Sequence, residues 1–554
     1  MLKFAGTESL DGVWSFAFCP ESEPEESQVL GTSCHGWGAV PGCFDTGSLF
    51  GKRGTGIYRR SFTGQGWLQL RFEGVGLRGR VWVDDRFLGA LEAPFTPYEF
   101  TFDAGEKERE MTLTVAVSNL LDETPGSLFH EFYDFYGFGG IYRPVTLRRL
   151  AARDGNGFAN VKVTPLEVDT GRFRIETEFR KPVQAALRLT LDGTLLAEVE
   201  ARGTQCLWEG EVPGLAPWSP ESPVLHTLTA EIPQDRAETT FGMRTLSWRH
   251  GELSLNGKPL KFMGMCRHDS HPEFGYAMPE SLVVSDLQLI QEAGCHFLRG
   301  AHYMQSDFLL DCCDHMGLLV WEESCGWGNT AEQCGDPAFR ARQREQTRRM
   351  VERHYNHPSV ILWGVLNECD STSQEGREIL DQLFSLLHQA DSSRPVTFAS
   401  NRHEKDIALD LCDVIAFNSY PGWYDDPMVV DGVPRVKVRL AEQAAFLQAP
   451  EYGDKPWIIS EIGASAMAGD HSGFRWSEEY QERILQEVLT FWEESTRCCG
   501  VAWWLFANVN TYLGAPMILL KPRGMNNKGL LTEYRLPKMA WRTLCRRLKG
   551  RPDF

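Results

Sequence analysis

Two apolar runs in this 554-residue chain each stop on a carboxyl. Pro358-Ser-Val-Ile-Leu-Trp-Gly-Val-Leu-Asn-Glu368 ends on an amide and an acid, and Pro456-Trp-Ile-Ile-Ser-Glu461 ends on an acid. Such a run reads as a buried strand that delivers polar groups to its C-terminal tip. Alone, an Asn-Glu after an apolar run is also what a helix N-cap or a solvated turn presents. Together the two runs offer a pair of carboxyls on parallel strand ends. Glycoside hydrolysis uses such a pair, one group as acid and then base, the other as nucleophile.

The elements that must position them form a regular series. From about residue 247, strand and helix patterns alternate. Strands are expected over 260–265, 297–301, 318–322, 360–368, 395–400, 414–420, 457–463 and 500–507, with helices such as 279–293 and Pro337–His354 between them. Asp336 is placed to cap the latter helix, and Arg340, Arg342, Arg344, Arg348, Arg349 and Arg353 read as its solvated face. Eight such units make a (β/α)8 TIM barrel, with its active site at the C-terminal strand ends. Glu368 would end the fourth strand and Glu461 the seventh.

Two strand-rich blocks precede the barrel. Over 1–150, segments such as Leu68-Gln-Leu-Arg-Phe and Met111-Thr-Leu-Thr-Val-Ala-Val alternate in polarity between Gly and Pro turns, as in a β-sandwich. Gly74-Val-Gly-Leu-Arg-Gly79 spells a dinucleotide fingerprint, but a strand follows it, and the fingerprint needs a helix N-terminus for the pyrophosphate. Over 151–246 a second alternating block suits an immunoglobulin-like sandwich. The expected division is therefore 1–150, 151–246 and 247–554.

Composition narrows the partners. A net charge of −19 argues against nucleic acid and against an anionic membrane surface. It also means that an anionic substrate would need a local cationic patch. The 17 Trp and 14 Tyr suit sugar binding, although large β-rich proteins share that richness. No 18-residue apolar run is present, so no membrane-spanning helix is expected. The N-terminal residues do not read as a signal peptide. The 15 Cys are odd in number and scattered, without a Cys-x-x-Cys pair, which points to reduced thiols, a cytoplasmic location and no zinc site.

At this point the motifs become those of a family. Val40-Pro-Gly, Gly56-Ile-Tyr-Arg-Arg-Ser-Phe and Gly139-Gly-Ile-Tyr-Arg-Pro-Val in the first block, and Asn356-His-Pro-Ser-Val before the Asn-Glu, are similar to signatures of glycoside hydrolase family 2. The chain resembles that family along its whole length: jelly-roll sugar-binding domain, immunoglobulin-like sandwich and barrel. Within it, Asn418-Ser-Tyr-Pro-Gly-Trp-Tyr424, Trp476-Ser-Glu-Glu-Tyr-Gln481 and Asn526-Asn-Lys-Gly resemble the β-glucuronidase branch. The resemblance implies that Glu368 is the acid/base and Glu461 the nucleophile of a retaining mechanism. It implies that Asn367 binds the sugar 2-hydroxyl, that Tyr420 lies beside the nucleophile, and that Asp134 reaches in from the jelly roll to the 4-hydroxyl. His268 and Trp504 match a pocket histidine and a pocket-floor aromatic. Family members form homo-oligomers, dimers or tetramers.

Asn526 and Lys528 bear on the substrate class. A uronic acid carries a carboxylate where a neutral hexose carries CH₂OH, and a carboxylate entering a site with two glutamates needs a fixed cation. Lys528 supplies the charge and Asn526 a donor, with Arg523 as a further partner. A surface lysine in a Gly-rich turn is the plain alternative. The chain also departs from glucuronidases: Arg267-His-Asp-Ser-His-Pro looks like the β-galactosidase branch. Both clues together fit a β-galacturonide as well as a β-glucuronide. Galactosidases place Glu-x-His after the third strand for magnesium, whereas this chain has Glu322-Glu-Ser-Cys, so neither a catalytic metal nor a cofactor is expected. The short 323–337 stretch predicts an open mouth. A β-galactosidase of the same family and a non-catalytic carbohydrate-binding protein are the rival readings.

Overall fold

The computed structural model describes residues 2–47, 50–122, 124–130, 133–424, 431–512 and 521–549. The first sandwich packs a six-stranded sheet, running from Gly36–Val40 at one edge to Arg86–Leu91 at the other, over a four-stranded sheet centred on Trp67–Phe72 and Val145–Arg149. Alternation along the central strands buries Leu68, Leu70 and Phe72 against Leu113, Val115 and Val117. The Gly74–Gly79 fingerprint falls on Val75–Gly76 and Arg78–Val83, both strands. It offers no helix N-terminus to a phosphate.

The second block is an immunoglobulin-like antiparallel sheet built on the long strands Arg172–Leu191 and Thr194–Glu211. Lys3–Phe4, from the start of the chain, joins its edge by pairing with Glu238 and Ala237. This crosses the division expected at residue 150. The guanidinium of Arg148 lies 3.9 Å from the Phe4 ring centroid and ion-pairs Asp235 at 2.5 Å, so both sandwiches meet at that edge.

The barrel strands are Phe262–Arg267, Phe297–Gly300, Leu319–Glu323, Val360–Gly364, the broken pair Val396–Thr397 and Ala399–Ser400, Ile415–Asn418, Trp457–Ile462 and Cys498–Trp503. All pair in parallel. The fifth position is split at Phe398. Its first half pairs with the fourth strand and its second half with the sixth, which closes the ring. The strands are buried throughout because both faces are covered, and they are mostly apolar, with charged residues toward their C-terminal ends. The expected strand over 360–368 stops at Gly364, so Asn367 and Glu368 stand in the turn beyond it, with Leu366 at φ 44° and Glu368 at φ 55°.

The helix Pro337–His354 begins at Asp336, whose carboxylate accepts from the Ala338 and Phe339 amides at 2.9 Å. Its arginines are not a solvated face. Arg342 donates to the Gly126 carbonyl, Arg349 to the Pro97 carbonyl, and Arg353 reaches Glu73 at 3.3 Å and also pairs with Asp307. These contacts clamp the jelly roll to the barrel, and of the six, Arg344 is exposed. Among the described residues no helix is long and apolar enough to cross a membrane.

Candidate active site

The two glutamates meet at the C-terminal mouth of the barrel, where they line one cavity of about 430 Å³ with Asp134, Tyr420, Trp504 and Lys528. That volume is in the range of small-molecule sites. Their surroundings differ. Glu461 receives Arg299 Nη1 on Oε1 at 2.7 Å and the Tyr420 hydroxyl on Oε2 at 2.6 Å. Glu368 receives one neutral donor, Asn418 Nδ2, at 2.7 Å. Burial, and then the charge of Glu461, push its pKa up to about 7. Glu368 is thus set to carry a proton near neutrality, while Glu461 is gripped by an arginine and a phenol.

Asn367 is oriented by its carbonyl oxygen, which accepts from Arg299 Nη2 at 2.7 Å and Asn418 Nδ2 at 3.0 Å. Its amide nitrogen is buried and has no partner among the described residues. That leaves a donor for an incoming hydroxyl, as the role expected of it requires. His268 contacts the Tyr303 hydroxyl through Nδ1 at 3.2 Å, and burial keeps its imidazole neutral by holding its pKa well below the usual range. Trp504 stacks on His302, with centroids 5.0 Å apart, and its indole N–H also lacks a partner.

A cationic wall completes the cavity. Lys528 is 2% exposed; its Nζ donates to the Tyr424 hydroxyl at 2.6 Å and lies 5.4 Å from the Tyr420 centroid. Burial lowers its pKa, against the pull of Asp134, Glu461 and Glu368. Lys528 is therefore buried beside the carboxyls, and the surface-turn alternative fails. Asp134 is reached by Lys521 Nζ at 2.6 and 2.8 Å and by Asn526 Nδ2 at 2.7 Å. A jelly-roll carboxylate is thus locked into the barrel by the segment after the eighth strand.

Two carboxyls in unlike settings beside a lysine wall, on this three-part scaffold, agree with what sequence comparison finds. The description "Glycosyl hydrolases family 2, TIM barrel domain" matches residues 246–548, the sugar binding domain of that family matches 38–151, and a third model, "Glycosyl hydrolases family 2", matches 153–244. The chain belongs to glycosyl hydrolase family 2. It is a glycoside hydrolase. It is 28% identical to the β-glucuronidase of Sus scrofa over 87% of this chain and 79% of that one. It is 26% identical to the β-glucuronidase of Streptococcus agalactiae over 88% and 86%. The GH2 β-galacturonidase from Eisenbergiella tayi bound to galacturonate superposes with a TM-score of 0.89 and 31% identity, over 99% of this chain and 98% of that one.

Of the residues expected in this family 2 site, His268, Asn367 and Asn526 stand behind the cavity wall, bonded to residues around it, and Arg523 stands apart. Arg523 does not line the cavity; its half-exposed guanidinium pairs with Glu533 at 3.2 Å. Arg523 has a positive φ of 64°, and Lys521, two residues before it, is the cation that pairs with Asp134. Lys521 was not expected. Its partner Asp134 lies in another domain, and no local spacing links the two. Arg299 and His302 were also missed, although an arginine inside the apolar 297–301 run was a visible signal. Arg299 bridges Glu461, Asn367 and Glu323, the last at 3.0 Å. Glu323 in turn receives His302 Nδ1 at 2.7 Å, and Glu322 faces His354 Nδ1 at 3.0 Å. Both carboxyls of the Glu322-Glu stretch are thus engaged in ion pairs. The Arg267–Pro279 departure is mostly structural: Arg267 bridges Asp269 at 2.5 Å and Asp286 at 2.9 Å.

Proposed function

We propose that the protein is a retaining exo-β-D-hexuronidase. Glu368 protonates the glycosidic oxygen while Glu461 attacks the anomeric carbon. The glycosyl-enzyme then loses its sugar to a water activated by the Glu368 carboxylate. Asn367 donates to the 2-hydroxyl, and Asp134 accepts from the 4-hydroxyl. The observation that carries the reading is the buried lysine pair. Lys528 lines a cavity that already holds three carboxyl groups, and the buried Lys521 is committed to one of them, Asp134. Lys528 makes its close contacts with phenol groups, so its charge is left for the substrate carboxylate. A neutral hexose would leave that charge with only the more distant pull of Asp134, Glu461 and Glu368.

The solved β-galacturonidase, at 31% identity over nearly all of both chains, favours a β-galacturonide as the preferred substrate. The β-glucuronidases among the relatives support the 4-epimer as the second reading. The division into 1–150, 151–246 and 247–554, a cytoplasmic location and a dimer or tetramer belong to the same proposal. Fifteen free cysteines support a reducing compartment, and light scattering of the purified protein tests the assembly.

The test compares kcat/KM on the p-nitrophenyl β-glycosides of galacturonic acid, glucuronic acid, galactose and glucose. Both uronides should exceed both neutral sugars by at least about a hundredfold, the scale of one buried charge pair. A galactoside that is turned over best would refute the uronate assignment.

A further inference from the structure

Lys528 lines the cavity, and the turn that carries it is held from behind by a second lysine. Lys538 is 1% exposed and takes no part in the cavity wall. Its Nζ donates to the Ala466 carbonyl at 2.9 Å, to the Asn527 carbonyl at 3.0 Å and to Asn508 Oδ1 at 3.0 Å. Those are all the donors an ammonium has. The three acceptors belong to three segments. Ala466 follows the strand that carries Glu461, Asn508 follows the eighth strand, and Asn527 directly precedes Lys528. The Asn527 carbonyl also accepts the Ala466 amide at 3.0 Å, so the Lys528 turn is joined to the segment after Glu461.

A second side chain makes the same join from a helix. Gln481 is fully buried on Glu478–Glu494 and ends the Trp476-Ser-Glu-Glu-Tyr-Gln stretch. Its Nε2 donates to the Ala464 carbonyl at 2.8 Å and to the Lys528 and Gly529 carbonyls at 3.3 and 3.2 Å. Glu478 of the same stretch accepts the Met539 amide, next to Lys538, at 2.7 Å. This motif therefore supports the Lys528 turn and stays out of the cavity wall. Without the Lys538 head group, three buried acceptors would each lose a donor, and the turn would no longer be held at a fixed distance from Glu461.

Resting on the hexuronidase reading, we propose that Lys538 is a positioning residue: by holding Asn527 to Ala466 it fixes Lys528 relative to Glu461, and with it the grip on the uronate carboxylate. Gln481 acts with it.

The test measures kcat and KM of the full chain at pH 6 on the p-nitrophenyl β-uronide that the wild type cleaves best. Burial pushes the Lys538 pKa down to about 7, against the pull of Glu478 and Glu533, so the ammonium is present at that pH. The substrate carboxylate takes no part in bond making, so a loosened grip on it is lost binding and appears in KM. Lys538→Met should raise KM about tenfold, with kcat within about twofold of wild type. Lys538→Gln, which keeps two N–H donors, should raise KM less. In a Lys528→Met background, Lys538→Met should change kcat/KM by less than about twofold, because the residue it positions is gone. Where Lys538→Met yields no folded protein, Gln481→Leu is measured in both backgrounds with the same expectation. A fall in kcat at constant KM, an unchanged KM, or an equal loss with and without Lys528 would overturn the positioning role while uronide cleavage stands. A wild-type chain that cleaves no uronide would remove both readings.

Discussion

In the proposed mechanism the acid must give up a proton near neutral pH, so it has to be kept from ionising early, and the surroundings of Glu368 suit that role. It is buried beside Glu461, one neutral amide faces it, and its pKa rises from 4.5 to about 7. The alkaline limb of kcat/KM should therefore fall near pH 7, because the acid is lost as pH rises through that value. The same shift has a stability consequence with a definite sign. The folded state binds the Glu368 proton more tightly than the unfolded one, so the carboxylate destabilises the fold progressively as pH rises from about 4.5 to about 7. Glu368→Gln should have wild-type stability below that window and be more stable above it, by ~3 kcal/mol at most. Urea midpoints at pH 4.5 and pH 8 check this, and an equal difference at both would contradict it. Lys528 invites a separate experiment. Lys528→Met should cost at least about a hundredfold in kcat/KM on uronides, the loss expected when a buried charge loses its partner. Its effect on neutral glycosides should be small.

At the scale of elements, the helix Pro337–His354 carries a buried ion cluster into the barrel wall. His354 Nδ1 faces Glu322 at 3.0 Å and Nε2 faces Asp307 at 3.1 Å. Burial opposes charge on this imidazole, but Glu322 and Asp307 outweigh it and raise its pKa. His354→Leu would leave two buried carboxylates facing an apolar side chain. It should destabilise the protein by roughly 3–5 kcal/mol, as the removal of one partner from a buried ion pair does; denaturant unfolding at pH 6 reads it. This helix also marks where sequence reading stops. Its ends were legible, since Asp336-Pro337 is a local start signal. Its partners were not, because Gly126, Pro97 and Glu73 come from another domain. Likewise the apolar runs announced the barrel strands and the polar groups at their tips. The turn that lifts Glu368 four residues past the strand end was not visible, because it depends on positive φ at Leu366 and Glu368, which neither residue type announces. Lys521 was missed for the same reason as the arginine clamp: its meaning lies in Asp134, a tertiary neighbour.

For the whole molecule, the catalytic cavity is a joint product of two domains, so its geometry depends on the seam between them. Arg143, in the Gly139-Gly-Ile-Tyr-Arg motif, is the central tie. It donates to the Phe95 carbonyl at 3.0 Å within the jelly roll, to the Met304 carbonyl at 2.8 Å in the barrel, and pairs with Asp269 at 3.4 Å. Beside it Phe95 stacks on Tyr303 with centroids 3.6 Å apart, and the Tyr276 hydroxyl donates to the Tyr136 carbonyl at 2.6 Å. Tyr136 is two residues from Asp134, so the seam ends at the cavity. Arg143→Met keeps the apolar stem but removes two polar contacts across the seam and one within the jelly roll. Asp269 retains Arg267, so the loss is smaller than for an orphaned charge: about 2 kcal/mol, from unmatched carbonyls. The activity loss should be larger than the stability loss implies. Displacing Asp134 by even 1 Å affects every turnover, and misplacement of that size costs on the order of a hundredfold. Calorimetry and kcat/KM on the same preparation separate the two effects. A lowered Tm with unchanged kcat/KM would mean that the barrel segment holding Asp134, through Lys521 and Asn526, positions it without help from the seam.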